Sequence, residues 1–418
     1  FGQIVILILM QLGGLGIMIF GGIFGLLLGR NITLRETMAL QDAISRDTIG
    51  QIGSLVKFIV ASTFALEAIG AVFLYPMWDV SVAGPARCLY LSVFHAVSAF
   101  CNAGFALQPD SLIAYRTAWQ VYAVVMPLIV LGGIGFPAAH DMYTVAGNRL
   151  RYWRARRRYV RGDARRPVRP NHMGLSLHSR IVLVTSAILI VVGAALLFVA
   201  ETPLPISSRH APPAEGAVPA PPHLDSMVGM SRGHRIGAAL FQSVTARTAG
   251  FNTVRTDEES MSPGSHFLLC VLMFIGGSPA STAGGVKTVA VAVLVLAVVA
   301  RLRRRENVEV FARTIDDEYV ARASTLIIGM FALATLVTIT LALTENASLR
   351  EVMFESVSAC GTVGLSTGLT PRLTVPGKVV IILAMFAGRV GPLTFLIALA
   401  GKTRSPRYEY PTEAVIIG

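Results

Sequence analysis

Seven apolar stretches dominate this 418-residue chain, at roughly 3 to 29, 56 to 76, 118 to 140, 181 to 200, 267 to 300, 325 to 343 and 377 to 400. Each is close to the ~20 residues a helix needs to cross the hydrocarbon of a bilayer. Only 14% of residues are charged and the mean hydropathy is +0.62, whereas soluble domains carry about 25% charge. The sequence therefore reads as a multi-pass membrane protein. A net charge of +12 and a pI near 10.0 would suit nucleic acid only if the basic residues formed a water-exposed surface. They fall instead between the apolar stretches, so the lipid bilayer is the expected partner and nucleic acid is not.

The basic residues also set orientation, because arginine-rich short loops stay in the cytoplasm. Arg30, Arg35 and Arg46 follow the first stretch, and the run 149 to 169 (RLRYWRARRRYVRGDARRPVR) follows the third. Arg301, Arg303, Arg304 and Arg305 follow the fifth, and Lys402, Arg404 and Arg407 follow the seventh. These regions are expected inside, with the 149 to 169 run anchoring the inner leaflet. The remaining connections, including RTDEES at 255 to 260 and a proline-rich outer insertion at 201 to 223, are expected outside.

Each outer connection holds one further apolar stretch too short or too glycine-rich to span. The three are FHAVSAFCNAGF (94 to 105), FQSVTARTAGFNT (241 to 253) and FESVSACGTVGLST (354 to 367). All begin Phe-x-x-Val-Ser/Thr-Ala, and each reaches a glycine nine or ten residues later: Gly104, Gly250, Gly364. The chain is thus internally repetitive, with a unit of span, short outer helix, glycine turn and span. The organisation expected is the end of a first repeat over 1–50, a second repeat over 51–148 and a basic cytoplasmic linker over 149–180. A third repeat with a broken span covers 181–305, and a fourth with a cytoplasmic tail covers 306–418.

Taken once, such a stretch is an ordinary helix capped by glycine. Three in register on one side of the membrane point to a pore, because irregular backbone survives at membrane depth only inside protein or along a water-filled path. The carbonyl end of each short helix favours a cation. Glycine at the turn lets consecutive carbonyls replace the hydration shell of a monovalent ion, so Thr362, Val363, Gly364 and Leu365 read as one wall of a filter.

Two features sit in the spans after the turns. GGSPASTAGGVK (276 to 287) interrupts the fifth with four glycines, a proline and small hydroxyls, a composition that breaks a helix. It reads either as a packing kink or as a flexible loop beneath the filter that includes Lys287. Arg389, in MFAGRVGPLT, is costly at membrane depth and needs a carboxylate, carbonyls or cavity water; Glu67 is a candidate partner. Its alternatives are a structural ion pair and an electrostatic barrier in the pore. Cys88, Cys101, Cys270 and Cys360 lack metal-type spacing and read as packing residues. An intramembrane enzyme using His95 or His140 is a remote alternative, since neither has a partner at catalytic spacing.

The motifs QLGGLGIMIF (11 to 20), GGIGFP (132 to 137), TARTAGFNT (245 to 253), GGSPASTAGGVKT (276 to 288) and AGRVGPLT (387 to 394) make the whole chain resemble the Trk/Ktr/HKT superfamily, particularly its bacterial KtrB/TrkH subunits. The resemblance implies an all-helical pore of four pseudo-symmetric helix–pore loop–helix units that carries potassium across the cell membrane and is not an enzyme. The implied filter positions are Asn102, Ala103 and Gly104; Thr248, Ala249 and Gly250; Thr362, Val363 and Gly364. The implied gate comprises Gly276, Gly277, Ser278, Ser281, Thr282, Gly284, Gly285 and Lys287, with Arg389 projecting toward the cavity below the filter. It further implies a homodimer mounted on a separate cytoplasmic RCK-type nucleotide-binding subunit (KtrA/TrkA-like), with potassium as the transported ion and no cofactor in this chain. A sodium-preferring or Na+/H+-coupled member is the alternative. Because the chain begins inside what should be the last span of a first unit, it supplies three filter glycines, and a longer native chain is expected.

Overall fold

The computed structural model describes residues 1–28, 46–161, 174–202 and 226–390. Arg30, Arg35, most of the proline-rich stretch, the end of the seventh apolar stretch and the C-terminal tail lie outside the described residues.

Helix α1 (Gly2–Leu28) carries the first apolar stretch, and three units of similar build follow. The first runs through α2 (Arg46–Leu74), a single turn α3 (Val80–Ala83), the short helix α4 (Pro85–Phe100), α5 (Met126–Ile134) and α6 (Phe136–Val160). The second comprises α7 (Leu177–Ala200), the short helix α8 (Arg232–Thr245), α9 (Pro263–Phe274) and α10 (Thr288–Leu302). The third comprises α11 (Asp317–Thr344), the short helix α12 (Leu349–Gly361) and α13 (Val375–Val390).

Local chemistry sets the starts of these helices. Proline occupies the first turn of α4 and α9, where its missing N–H has no intrahelical partner to lose. Ser176, Ser231, Ser262 and Ser348 cap α7, α8, α9 and α12 by accepting a backbone N–H. At Ser348 the cap is reciprocal, with Glu351 returning a bond to the Ser348 backbone.

Among the described residues, Val56–Met77, Leu177–Ala200 and Asp317–Thr344 are helical, long and apolar enough to cross a membrane unaided. They expose large apolar side chains such as Phe64, Ile188, Val191, Ile328 and Phe331, a surface suited to lipid rather than water. Within each unit the opening helix packs on the short helix: α2 on α4, α7 on α8, α11 on α12. Between units the packing also repeats, α1 meeting α4, α5 meeting α8 and α9 meeting α12. The phenylalanine that opens each repeated motif, Phe94, Phe241 or Phe354, is at most 2% exposed and anchors its short helix in the core.

In the first two units the second helix is interrupted, and in the first of them the structure corrects the expected single span. The stretch 118 to 140 is not one straight span: it breaks at Gly135, and α6 leaves at 102°. Gly135 holds φ +86° and a Cβ there would overlap Pro279 O, while Phe136 N–H donates to Ala280 O (3.1 Å). The described part of the basic 149 to 169 run therefore belongs to a helix and not to a loop. The fold is all-helical as expected, with one small two-stranded hairpin among the described residues, β1 (Val308–Val310) and β2 (Arg313–Ile315), after α10. The fifth stretch is broken where its glycines predict, between Phe274 and Thr288.

Candidate ion-conduction site

Each short helix ends in a turn with the same backbone signature. The residue two before the glycine is left-handed in all three turns, with φ of 50° at Asn102, 71° at Thr248 and 53° at Thr362. The glycines follow at +71°, +79° and +91° for Gly104, Gly250 and Gly364. A left-handed β-branched threonine costs on the order of 1–3 kcal/mol and persists only where surrounding structure imposes it. The turns also meet. A Cβ on Gly250 would lie 2.5 Å from Val363 O, 3.3 Å from Gly104 Cα and 3.4 Å from Gly364 Cα, and one on Gly104 would lie 2.6 Å from Ala249 O. Asn102, Ala103, Gly104, Thr248, Ala249, Gly250, Thr362, Val363 and Gly364 therefore lie in one cluster, with Gly250 between the other two glycines.

The serine or threonine at the fifth motif position buttresses this cluster, a role the sequence displays but does not explain. Ser98 Oγ donates to Phe105 O (2.8 Å), Thr245 Oγ1 to Phe251 O (2.7 Å) and Ser358 Oγ to Leu365 O (2.6 Å). In each unit the accepting carbonyl belongs to the residue just after the glycine. A hydroxyl at this position satisfies one lone pair of that carbonyl and fixes the direction of the strand carrying it.

The 276–287 segment lies against all three units and against α1. Ser278 N–H donates to Gly133 O (3.0 Å) and Thr282 N–H to Gly132 O (3.3 Å). The Thr282 hydroxyl lies 3.2 Å from Phe100 O, and it is also 3.2 Å from the Asn102 amide oxygen once that amide is oriented to donate to Ile129 O. Gly284 sits directly beneath Thr362, where a Cβ would overlap Thr362 Oγ1, and a Cβ on Gly14 of α1 would be 3.6 Å from Thr282 Cγ2. Gly276 and Gly285 face each other closely, and Ser281 Oγ folds back on Ser278 O (2.6 Å). Gly277 N–H donates to Gly284 O (3.3 Å), which closes the base of the loop.

Both cations singled out in the sequence hold this loop by its carbonyls. Lys287 Nζ donates to Ala283 O (2.8 Å) and Arg389 Nη1 to Thr282 O (2.7 Å). Glu67, the sequence candidate for pairing with Arg389, instead accepts from Gln11 Nε2 (3.0 Å) and lies 3.8 Å from Cys101 Sγ. The reason is geometric: Glu67 is buried between α1 and α4, while the loop presents carbonyls directly to the end of α13. Arg389, Asn102, Ala103 and Thr362 line one cavity of about 490 Å³ together with Gly13 and Gly14 of α1. His95 stacks on Trp78 (5.0 Å) with Nδ1 2.7 Å from Leu91 O, and His140 packs edge-on against Phe58. All four cysteines are free and buried.

Apolar helices long enough to cross a membrane, short helices whose strained turns meet at their glycines and a loop packed against those turns define a multi-pass helical membrane protein. The chain belongs to the TrkH family of cation transport proteins, whose model matches residues 1–410. It is 35% identical over 418 residues to Ktr system potassium uptake protein B of Bacillus subtilis strain 168, a match covering all of this chain and 83% of that protein. It is 34% identical to the Vibrio alginolyticus protein of the same name, over 100% of this chain and 82% of the relative. Identity is 32% to potassium/sodium uptake protein NtpJ of Enterococcus hirae, over 100% and 83%. The fold matches the crystal structure of the potassium transporter TrkH from Vibrio parahaemolyticus with a TM-score of 0.63 at 17% identity, over 94% of this chain and 70% of that one.

Proposed function

We infer that this chain is the pore-forming subunit of a Ktr/Trk-type potassium uptake system of the cell membrane. The observation that carries the reading is the meeting of three turns with one backbone signature at Gly104, Gly250 and Gly364. Short helices α4, α8 and α12 run into these turns with their carbonyl ends, whose partial negative charge favours a cation. The carbonyls of Asn102 to Gly104, Thr248 to Gly250 and Thr362 to Gly364 would take the place of water around a potassium ion. The ion moves inward down its electrochemical gradient, without ATP hydrolysis by this chain.

The 276–287 loop is the gate in this reading. Lys287 and Arg389 hold its carbonyls, which keeps the loop under the filter and places two positive charges below the ion path. Releasing those carbonyls would let the loop swing aside. The relatives' names refer to a Ktr system, which supports operation with further components, and we propose a homodimer with an RCK-type cytoplasmic regulator. A sodium-carrying mode is the second reading, favoured by the potassium/sodium name of the Enterococcus relative.

The deciding experiment expresses the complete reading frame in a bacterium lacking potassium uptake, grown on limiting potassium with sodium varied. Rescue by wild type and its loss in Gly364→Ser is the expected result. Equal rescue by a well-expressed Gly364→Ser would remove the turns from the ion path, and growth that tracks sodium instead of potassium would favour the second reading.

A further inference from the structure

On α4, α8 and α12 the residue after the anchoring phenylalanine is polar and buried: His95, Gln242 and Glu355, exposed by 0%, 0% and 4%. It stands one helical turn before the buttressing hydroxyl and therefore on the same face. In two units it reaches the same place. Leu107 N–H donates to His95 Nε2 (3.5 Å) and Thr367 N–H to Glu355 Oε1 (3.1 Å), and both donors are the third residue after the turn glycine. The outgoing strand is thus tied to its short helix at two points. The middle unit differs, with both amide atoms of Gln242 buried and unpartnered.

Glu355 differs from its counterparts in charge. It accepts from the Ser366 hydroxyl, Thr367 N–H, the Thr367 hydroxyl (3.4 Å) and the Thr370 hydroxyl (2.8 Å). Four donors on two oxygens is the environment an ionised carboxylate needs in place of water. No lysine or arginine pairs with it in the ion pairs among the described residues. A buried anion with no ion-pair partner among the described residues favours a nearby cation, and low-dielectric surroundings do little to screen it.

We propose that Glu355 is a positioning residue of this pathway whose uncompensated charge sets the affinity for the incoming cation at the outer end of the Gly364 turn. The proposal rests on the potassium-uptake reading. His95 and Gln242 hold equivalent places without that charge, so of these three units the one that carries Gly364 supplies the attraction.

The test measures potassium uptake kinetics in cells expressing the full chain with its regulator, and potassium-dependent thermal stabilisation of the purified protein. Glu355→Gln is expected to raise KM for potassium, and the midpoint of stabilisation, roughly tenfold with the maximal rate within about twofold. Glu355→Asp, which keeps the charge, is expected to stay within about threefold of the wild-type KM. An active Glu355→Gln with unchanged KM overturns the proposal, as does an equal loss of maximal rate in both variants with KM unmoved, the mark of a purely structural role. If Glu355→Gln does not accumulate, Thr370→Val removes a donor and keeps the charge: a wild-type KM supports the charge role and a tenfold rise defeats it. A wild type that neither takes up potassium nor is stabilised by it sinks the functional reading itself, which is a different result from an active variant with unchanged KM.

Discussion

The turns at Gly250 and Gly364 share a backbone and differ in what surrounds it. Both glycines have positive φ, +79° and +91°, and each follows a left-handed threonine by two residues. Around Gly250 there is no room: a Cβ would come within 2.5 Å of Val363 O and touch the glycines on either side. Around Gly364, among the described residues, the nearest atom to such a Cβ is Gly250 Cα at 3.6 Å, ordinary van der Waals contact. Among the described residues, glycine at 250 is thus required by conformation and by space, while at 364 it is required by conformation. A motif repeated in sequence reports the repeated backbone, while the room around each copy depends on what packs against it.

The sharpest way to break that contrast is to place serine at each position. Gly250→Ser is expected to lower potassium uptake at least about 100-fold, since backbone strain and steric overlap with a carbonyl add to more than about 3 kcal/mol. Gly364→Ser carries the strain, with no overlap among the described residues, and is expected to lose at least about tenfold. Uptake rates normalised to membrane expression check both, and equal losses would show that space around the turn is irrelevant.

The next effect separates the fixed turns from the loop that lies against them. Arg389→Gln and Lys287→Gln each remove a positive charge that holds a carbonyl of the 276–287 segment, beneath the filter in the proposed reading. Each is expected to raise the maximal uptake rate several-fold at similar KM, a barrier change of about 1 kcal/mol. A fall in maximal rate at normal expression would instead assign the two side chains to the conducting state.

The smallest effect on uptake rate tests the buttress, whose loss shows in stability and ion discrimination. Thr245→Val removes the hydroxyl that donates to Phe251 O and leaves that buried carbonyl short of a partner, at a cost of about 1–3 kcal/mol. The expected outcome is a lower melting temperature and weaker discrimination of potassium from sodium in competition uptake. Thr245→Ser, which keeps the hydroxyl, should restore both; if it does not, the methyl packing of Thr245 matters and the bond does not.

Much of this was legible in the sequence for identifiable reasons. Gly104, Gly250 and Gly364 stand out because a repeated motif reports a repeated local geometry, and a turn requiring positive φ has few residue choices. The 276–287 break is equally readable, since four glycines and a proline cannot continue a helix. The bend at Gly135 was missed because a single glycine inside an apolar run is also common in straight helices; what turns the chain there is Pro279 and Ala280, which are 144 and 145 residues further along. Arg389 was recognised as needing a partner, but the choice between Glu67 and a loop carbonyl depends on which group the fold brings within hydrogen-bond reach. Ser98, Thr245 and Ser358 were visible as a pattern without a purpose, because their acceptors lie across a turn whose closure the pattern does not encode.

By itself the sequence determined that the chain lies in a membrane, that it is built of repeated units and that each unit carries a glycine turn. These follow from hydropathy, length and backbone sterics, which act over a few residues. It took the tertiary structure to show that the three turns meet with Gly250 between the others, that Lys287 and Arg389 hold the 276–287 loop, and that Glu355 is buried among hydroxyls with no cationic partner among the described residues. Those outcomes depend on contacts between segments that are distant along the chain, whose energies arise from packing and from which polar groups must find partners away from water.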